Sequence, residues 1–296
     1  MKPGLIGDIG RHRSGDGPGI RSLVFFKGCP LACPWCHNPE FIAPVPELAL
    51  YPARCLGCGD CLAACTPQAL TLAPTIAVDR RRCTACGDCA TVCPTRALTP
   101  VGRSYDLRDL IDELLRDRLY WQVSGGGVTL SGGEPTAQMV FAGALLERLH
   151  RQGVRTAIET CGFFPWTDFA ACVLPWCDLL LFDLKIADGR RHADLTGQDN
   201  EIIFANLAQA VRSGHEVIVR IPLIPGFTAE EENLAGLAAL MKRCGVTKCT
   251  LLPYHPFGLA KAGAIGRQPR FALPERPMSR AEADQWRRCF TEFQLV

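Results

Sequence analysis

Apolar positions first mark a helix at residues 107–115. Leu107, Leu110, Ile111, Leu114 and Leu115 fall on one helical stripe, with Asp106 at the cap position. Downstream the period switches repeatedly between two and 3.6 residues. "GVTLSGGE" (127–134) reads as a strand ending in a glycine turn, and a helix follows over about 138–152. "VRTAIET" is the next strand, followed by a short helix near 166–176. "LLLFDLK" (179–185) is apolar on both faces, as in the buried strands of parallel sheets. A helix is expected over about 201–213, a strand at "VIVRIPLIPG", a helix at 229–243, a strand at "CTLLPYHPFG" and a closing helix at 279–292. Adding "IRSLVFFKG" (20–28) gives six strand–helix units. The pattern predicts an α/β chain folded as a partial (β/α)6, TIM-like barrel, with ligands at the C-terminal strand ends.

One segment does not fit that alternation. "ARCLGCGDCLAACTPQALTL" (53–72) aligns with "RRCTACGDCATVCPTRALTP" (81–100) at an offset of 28 residues. The segment lies between the first strand and its helix. The barrel is therefore expected from residues 1–50 and 101–296, with 51–100 as an insert. Each copy carries C-x2-C-x2-C-x3-C, the run of bacterial ferredoxins, in which the fourth cysteine ligates the other cluster. By that rule Cys55, Cys58, Cys61 and Cys93 hold one [4Fe-4S] cluster, and Cys83, Cys86, Cys89 and Cys65 hold the second. Cys65-Thr66-Pro67 departs mildly from the usual Cys-Pro. The alternative is two zinc knuckles, but zinc sites usually separate their cysteine pairs by a dozen residues or more.

Composition narrows the class. The 296 residues carry a net charge of +2 with a pI near 7.9, and 48% are hydrophobic. There is no electrostatic footprint for nucleic acid. No apolar run reaches the length of a membrane span, and the N-terminus lacks an apolar signal core, so no membrane partner and a cytoplasmic location are expected. Of the 17 cysteines, eleven fall between positions 29 and 93 in three spaced runs, which points to metal rather than disulfides.

Charges inside apolar strands point to a site. Asp183 and Lys185 are two apart and share one face, while Phe182 and Leu184 face the helices. Arg220 interrupts "VIVRI" in the same way. Buried charges are costly unless paired or functional. Structural ion pairs across a barrel would explain any one of them; together with Glu134 and Glu159 at strand ends they suggest a polar ligand site. The third cysteine run, "KGCPLACPWCHNPE" (27–40), offers Cys29, Cys33 and Cys36 after the first strand and no fourth cysteine. A four-iron cluster held there keeps one iron open to a small ligand.

The C-x3-C-x2-C run with Trp35 before its last cysteine is similar to the signature of the radical S-adenosylmethionine (SAM) family. "DGPGIRSLVFFKGCPLACPWCHNPE", "SGGGVTLSGGEP", "ETCG" and "FDLK" together resemble the glycyl-radical-enzyme activating enzymes, and the insert resembles their larger subgroup. The resemblance runs from about residue 14 to 257. It implies that SAM chelates the open iron and is cleaved to a 5′-deoxyadenosyl radical, which takes a hydrogen atom from a glycine of a partner glycyl radical enzyme. It implies Cys29, Cys33 and Cys36 as ligands of the catalytic cluster, and Trp35 and His37 on the adenine side. Gly132, Gly133 and Glu134 match the motif for the SAM amino group, and Asp183 and Lys185 match contacts to ribose and carboxylate. Arg220 and His255 match further SAM-facing positions, and Asp16 a residue near the substrate peptide. For His255 a plain structural role is the competing reading. His12, His150, His192 and His215 read as structural. Cys161, Cys172, Cys177, Cys244, Cys249 and Cys289 read as small buried side chains, with Cys161 alone near the site. The expected cofactors are three [4Fe-4S] clusters with SAM as cosubstrate, and the expected electron donor is ferredoxin or flavodoxin. Two rivals remain: a radical SAM enzyme acting on a small molecule or another peptide, and an electron-transfer protein with a structural barrel.

Overall fold

The computed structural model describes residues 2–296. The chain opens with β1 (Gly4–Arg13) and β2 (Arg21–Phe26). The cysteine-rich segment holds β3 (Glu47–Leu50), α1 (Asp60–Ala63), β4 (Leu70–Leu72), β5 (Ile76–Val78), α2 (Asp88–Thr91) and β6 (Leu98–Val101). After β7 (Arg103–Tyr105), helices α3 (Leu107–Leu114) and α4 (Arg118–Ser124) lead into β8 (Gly127–Gly132). Then follow α5 (Met139–His150), β9 (Arg155–Thr160), α6 (Trp166–Cys172), β10 (Leu179–Asp183), α7 (Gly189–Thr196), α8 (Glu201–Arg212) and β11 (Glu216–Leu223). The chain closes with α9 (Glu231–Cys244), β12 (Lys248–Pro253), α10 (Phe257–Ala264), α11 (Arg280–Asp284) and β13 (Gln294–Leu295).

The main sheet runs β13-β12-β11-β10-β9-β8-β2-β1-β7. The six strands from β2 to β12 that the alternation predicts are all present and parallel to one another. This is the core of a partial α/β barrel. β1 and β7 extend it as antiparallel neighbours of β2 and of β1. β1 escapes the hydrophobic pattern because glycines interrupt it. Gly7 sits there because a Cβ would stand 2.4 Å from the ring of Phe41. α7 is likewise missed: its stretch "GRRHADLT" is almost wholly polar, and its N-cap Asp188 accepts from the Arg191 amide. The closing helix is shorter than expected, giving way to a 3-10 turn over Gln285–Phe290 and then to β13 beside β12. Among the described residues, no helix is long and apolar enough to cross a membrane.

Strand alternation sorts the core. Val24, Val128, Leu130, Ile158, Leu180, Phe182 and Val219 face the helices, whose apolar stripes include the expected Leu110, Ile111 and Leu114. The opposite faces carry Ala157, Leu179 and Leu181 packed with Ile218, an apolar floor inside the barrel. One step further along the strands that inner face turns polar, at Ser131, Glu159, Asp183 and Arg220. Leu181→Ala should open a cavity in the floor and cost about 2–5 kcal/mol, while Leu119→Ala on exposed α4 should stay within about 0.5 kcal/mol. Urea unfolding midpoints of the two variants check the contrast.

Candidate active site

The cysteine loop springs from the C-terminal end of β2. Its base is closed by the Gly28 amide donating to Phe41 O (2.8 Å) and the Cys29 amide donating to Ile42 O (3.0 Å). The end of β8 crosses directly beneath. A Cβ on Gly132 would stand 2.4 Å from the Phe26 nitrogen, and one on Gly133 would stand 2.3 Å from the Gly28 carbonyl oxygen. Only glycine allows this approach. The Glu134 amide then donates to Gly28 O at 2.7 Å. The Glu134 side chain is buried and committed to the protein's own donors. Its Oε1 accepts from Thr136 N and from the hydroxyls of Thr136 and Thr160 at 2.8 and 2.9 Å, and its Oε2 accepts from the Cys161 amide at 2.7 Å. The carboxylate thus ties the ends of β8 and β9 together instead of facing an open cavity.

Cys29, Cys33 and Cys36 stand close enough to influence one another's charge. Burial pushes the Cys33 thiol up to about 12 and Cys36 further up. Cys29 is instead lowered, chiefly by the adjacent Cys161 thiol and against the effect of burial. Buried thiols of this kind become thiolates by exchanging their protons for a metal, which fits an iron-binding trio.

Next to this loop lies the charged layer of the barrel. Arg220 donates from Nε to Asp183 Oδ1 at 2.8 Å and from Nη1 to Glu159 Oε1. Ser131 donates to the other oxygen of Glu159, and Lys185 Nζ reaches Asp183 Oδ2 at 3.3 Å. Asp183 and Arg220 are direct register partners across β10 and β11. Burial pushes Glu159 up to about 7 even though Arg220 pulls the other way. Burial would raise Asp183 too, but Arg220 and Lys185 outweigh it and hold the carboxyl below its ordinary value. The charge of Lys185 also reaches Cys29 and Cys33, so the layer and the cysteine loop belong to one site.

The remaining candidates border this centre. Trp35 is buried against Phe227, with ring centroids 5.7 Å apart. It lines a cavity of about 270 Å³ with Cys33, Cys36, His255, Arg270 and Phe271. His255 stacks on Phe257 at 3.5 Å, and Phe257 stacks on His37 at 6.0 Å. The Nδ1 atom of His255 is buried without a hydrogen-bond partner, an open position for a ligand. Asp16 lies in the β1–β2 loop, its carbonyl accepting from Thr129 Oγ1 at 2.8 Å, and its charge is felt by Glu159 and His37.

The other eight cysteines surround two hollows. One is lined by Cys55, Cys58, Cys61 and Cys93, the other by Cys65, Cys83, Cys86 and Cys89. Each hollow thus draws thiols from both copies of the repeat. In a one-zinc site the sulfurs would stand about 3.8 Å apart. Among the described residues no three His, Cys, Asp or Glu side chains are gathered as ligands of a single ion.

The radical SAM superfamily model matches residues 23–238. The chain belongs to the radical SAM superfamily. It is 41% identical over 293 residues to the isethionate sulfite-lyase activating enzyme of Nitratidesulfovibrio vulgaris, covering 95% of this chain and 94% of that protein. It is 39% identical over 279 residues to the trans-4-hydroxy-L-proline dehydratase activating enzyme of Clostridioides difficile, covering 93% and 92%. Within the superfamily it therefore belongs with the activating enzymes of glycyl radical enzymes. The fold is similar to that of a radical SAM methyltransferase from Sphaerobacter thermophilus, 15% identical, with a TM-score of 0.50 over 72% of this chain and 61% of that one. A radical SAM enzyme implies a [4Fe-4S] cluster and SAM, and the thiol trio beside a charged layer fits both.

Two buried cations of this radical SAM barrel were not singled out from the sequence. Lys27 bonds the Glu40 carbonyl at 2.6 Å and Glu47 Oε2 at 2.9 Å, fastening the exit of the cysteine loop. Arg21 donates to Thr129 Oγ1 at 2.6 Å and to Val128 O at 2.7 Å. The reasoning that selects Arg220, a charge in an apolar strand, would have found both.

Arg220→Met leaves Glu159 buried without its cation and Asp183 with Lys185 alone, a loss expected to cost about 3–5 kcal/mol. Glu159 already sits near 7, above its unfolded value, so its protonated form favours the folded state below that pH and the benefit is lost as pH rises through it. The deficit of the variant should be larger at pH 8 than at pH 6 in urea unfolding; a deficit independent of pH would contradict the pairing. Glu134→Ala strands the Cys161 amide and the Thr160 hydroxyl and should cost at least about 1–3 kcal/mol, seen as a lower unfolding midpoint before any ligand is added.

Proposed function

We propose that this activating enzyme holds three [4Fe-4S] clusters, one catalytic and two in a ferredoxin-like insert over residues 51–100. We further propose that it takes a hydrogen atom from a glycine Cα of a partner glycyl radical enzyme. The observation that carries the reading is the thiol trio of Cys29, Cys33 and Cys36 seated on Gly132–Gly133 beside the charges of Asp183, Lys185 and Arg220. Cys29, Cys33 and Cys36 would hold the catalytic cluster through three thiolates, one fewer than a fully protein-ligated cluster has, which suits a cluster that takes SAM as cosubstrate. When bound, that cluster would supply the single electron that reductive cleavage of SAM to a radical requires.

The chain's own residues bind, orient and exclude water. Gly132 and Gly133 bring backbone rather than side chain to the amino-group side. Glu134 fixes that backbone through its four acceptor contacts. Lys185 is placed to meet the SAM carboxylate and Asp183 the ribose. Arg220 sets the carboxylates of Asp183 and Glu159, so they are oriented before SAM arrives. Trp35, His37 and His255 serve the adenine end, where the unpartnered His255 Nδ1 offers a hydrogen bond. Asp16 borders the entry of the partner's glycine loop. No base or nucleophile is required. The apolar floor of Ala157, Leu179, Leu181 and Ile218 shields the radical from water and from reactive hydrogens. In the insert, Cys55, Cys58, Cys61 and Cys93 hold one cluster, and Cys65, Cys83, Cys86 and Cys89 the other. Clusters bound there would take electrons from ferredoxin or flavodoxin.

Reconstituted protein should hold three four-iron clusters. Replacing Cys29, Cys33 and Cys36 together by Ala should remove one of them and all SAM cleavage; an unchanged iron count would sink the assignment. A glycine-centred radical appearing on an added partner separates this reading from an enzyme acting on a small molecule.

A further inference from the structure

The ladder between β10 and β11 ends just before the residue that carries the second cation of the charged layer. The Leu184 amide donates to Arg220 O at 3.0 Å, and regular strand structure stops at Asp183. The chain nevertheless keeps a strand's alternation. Leu184 and Ile186 are buried in the core, and between them the Lys185 side chain points the other way, to Asp183. Sheet hydrogen bonds no longer enforce that alternation. The half-buried main chain of residues 185–187 still needs partners. Two buried asparagines from outside the sheet supply them. Asn200 donates to Ile186 O at 2.8 Å and to Ala187 O at 3.1 Å. Asn233, on α9, accepts from the Ala187 amide at 2.7 Å and donates to Lys185 O at 3.1 Å.

Asn233 holds more than this one strand end. Its carboxamide also donates to Thr228 O at 2.9 Å, in the turn that leaves β11. Thr228 is buried and closes that turn, its hydroxyl accepting from the Ile224 amide at 2.7 Å. Phe227, the residue before it, is the ring against which Trp35 packs. One carboxamide thus joins the strand end of Lys185 to the turn that backs Trp35. A glycine one turn further along α9 permits the approach: a Cβ on Gly236 would stand 2.8 Å from the Ala187 Cβ. A carboxamide also suits the place electrically. It satisfies two carbonyls and an amide without adding charge beside Asp183, Lys185 and Arg220, which are already paired.

We infer that Asn233 is a positioning residue for SAM: by holding the main chain of Lys185 it sets the ammonium group where the carboxylate of SAM arrives. The inference rests on the reading of Lys185 as the partner of that carboxylate. The contact of Lys185 with Asp183 shows what the clamp does. At 3.3 Å it is longer than the roughly 2.7–2.9 Å of a relaxed charged hydrogen bond. The ammonium is held back from Asp183 by its own backbone and keeps donors free for a second anion. Released from Asn233, a long flexible side chain closes on Asp183 and turns from SAM. Asn233 makes and breaks no bond in the reaction; it orients one cation before the ligand binds.

The test is anaerobic equilibrium dialysis of radiolabelled SAM against the reconstituted full-length holoenzyme in its oxidised state, so that binding is read without turnover. Asn233→Ala and Lys185→Met should each raise the dissociation constant at least tenfold at unchanged iron content. The double variant should bind within twofold of Lys185→Met, because a residue that acts only through Lys185 then has nothing left to position. A general loosening of the fold would instead multiply the two losses; that outcome overturns the inference, as does parent-like affinity in Asn233→Ala. Asn233→Asp keeps the volume and the acceptor for the Ala187 amide but sets an oxygen against Lys185 O and Thr228 O. Where Asn233→Ala fails to fold, Asn233→Asp carries the same comparison to the same limits. Parent-like affinity in Lys185→Met overturns the reading of Lys185 itself, and that variant is measured first.

Discussion

The carboxylate of Glu134 is the contact on which the site depends. It is buried, it accepts from donors at the ends of two neighbouring strands, and the amide of the same residue holds the carbonyl before Cys29. The two preceding glycines let the cysteine loop lie directly on the sheet, because any side chain there would occupy the space of the Gly28 and Phe26 backbones. The loop is therefore positioned by main chain against main chain, the least adaptable kind of packing in a protein. A group held by three cysteines of that loop inherits this rigidity.

The inner face of the barrel is layered for the same end. Ala157, Leu179, Leu181 and Ile218 form a dry floor, and one residue pair further along come Glu159, Asp183, Arg220 and Lys185. Those charges would be expensive to bury singly. They are tolerable because Arg220 spans both carboxylates and Lys185 adds a second cation to Asp183. The charges at the strand ends are thus fixed by one another above apolar walls.

The cysteine-rich segment follows another logic. Each of its two hollows is lined by thiols of both copies, so the shape of each depends on both halves. Lys27, Glu47 and Arg267 fasten this segment to the exit of the Cys29–Cys36 loop.

Six parallel strands were legible in the sequence because each is a local pattern, and so is each cysteine run. Strand and helix periods are written within a few residues, and thiol spacing within about eleven. The facing of Asp183 and Lys185 away from Phe182 and Leu184 is local too, and the packing of Phe182 and Leu184 against the helices agrees with it. Strand β1 and helix α7 were hidden because glycine and polar residues erase the local signal where packing against Phe41 or a cap at Asp188 supplies the stability. Only tertiary structure decided that Glu134 spends its carboxylate on Thr136, Thr160 and Cys161, that Arg220 spans Glu159 and Asp183, and that Cys161 stands beside Cys29. Each of these depends on which strands become neighbours. A buried charge can be recognised from its apolar surroundings in the chain, but its partner is set by residues some 25 to 60 positions away that the sheet brings within 3 Å.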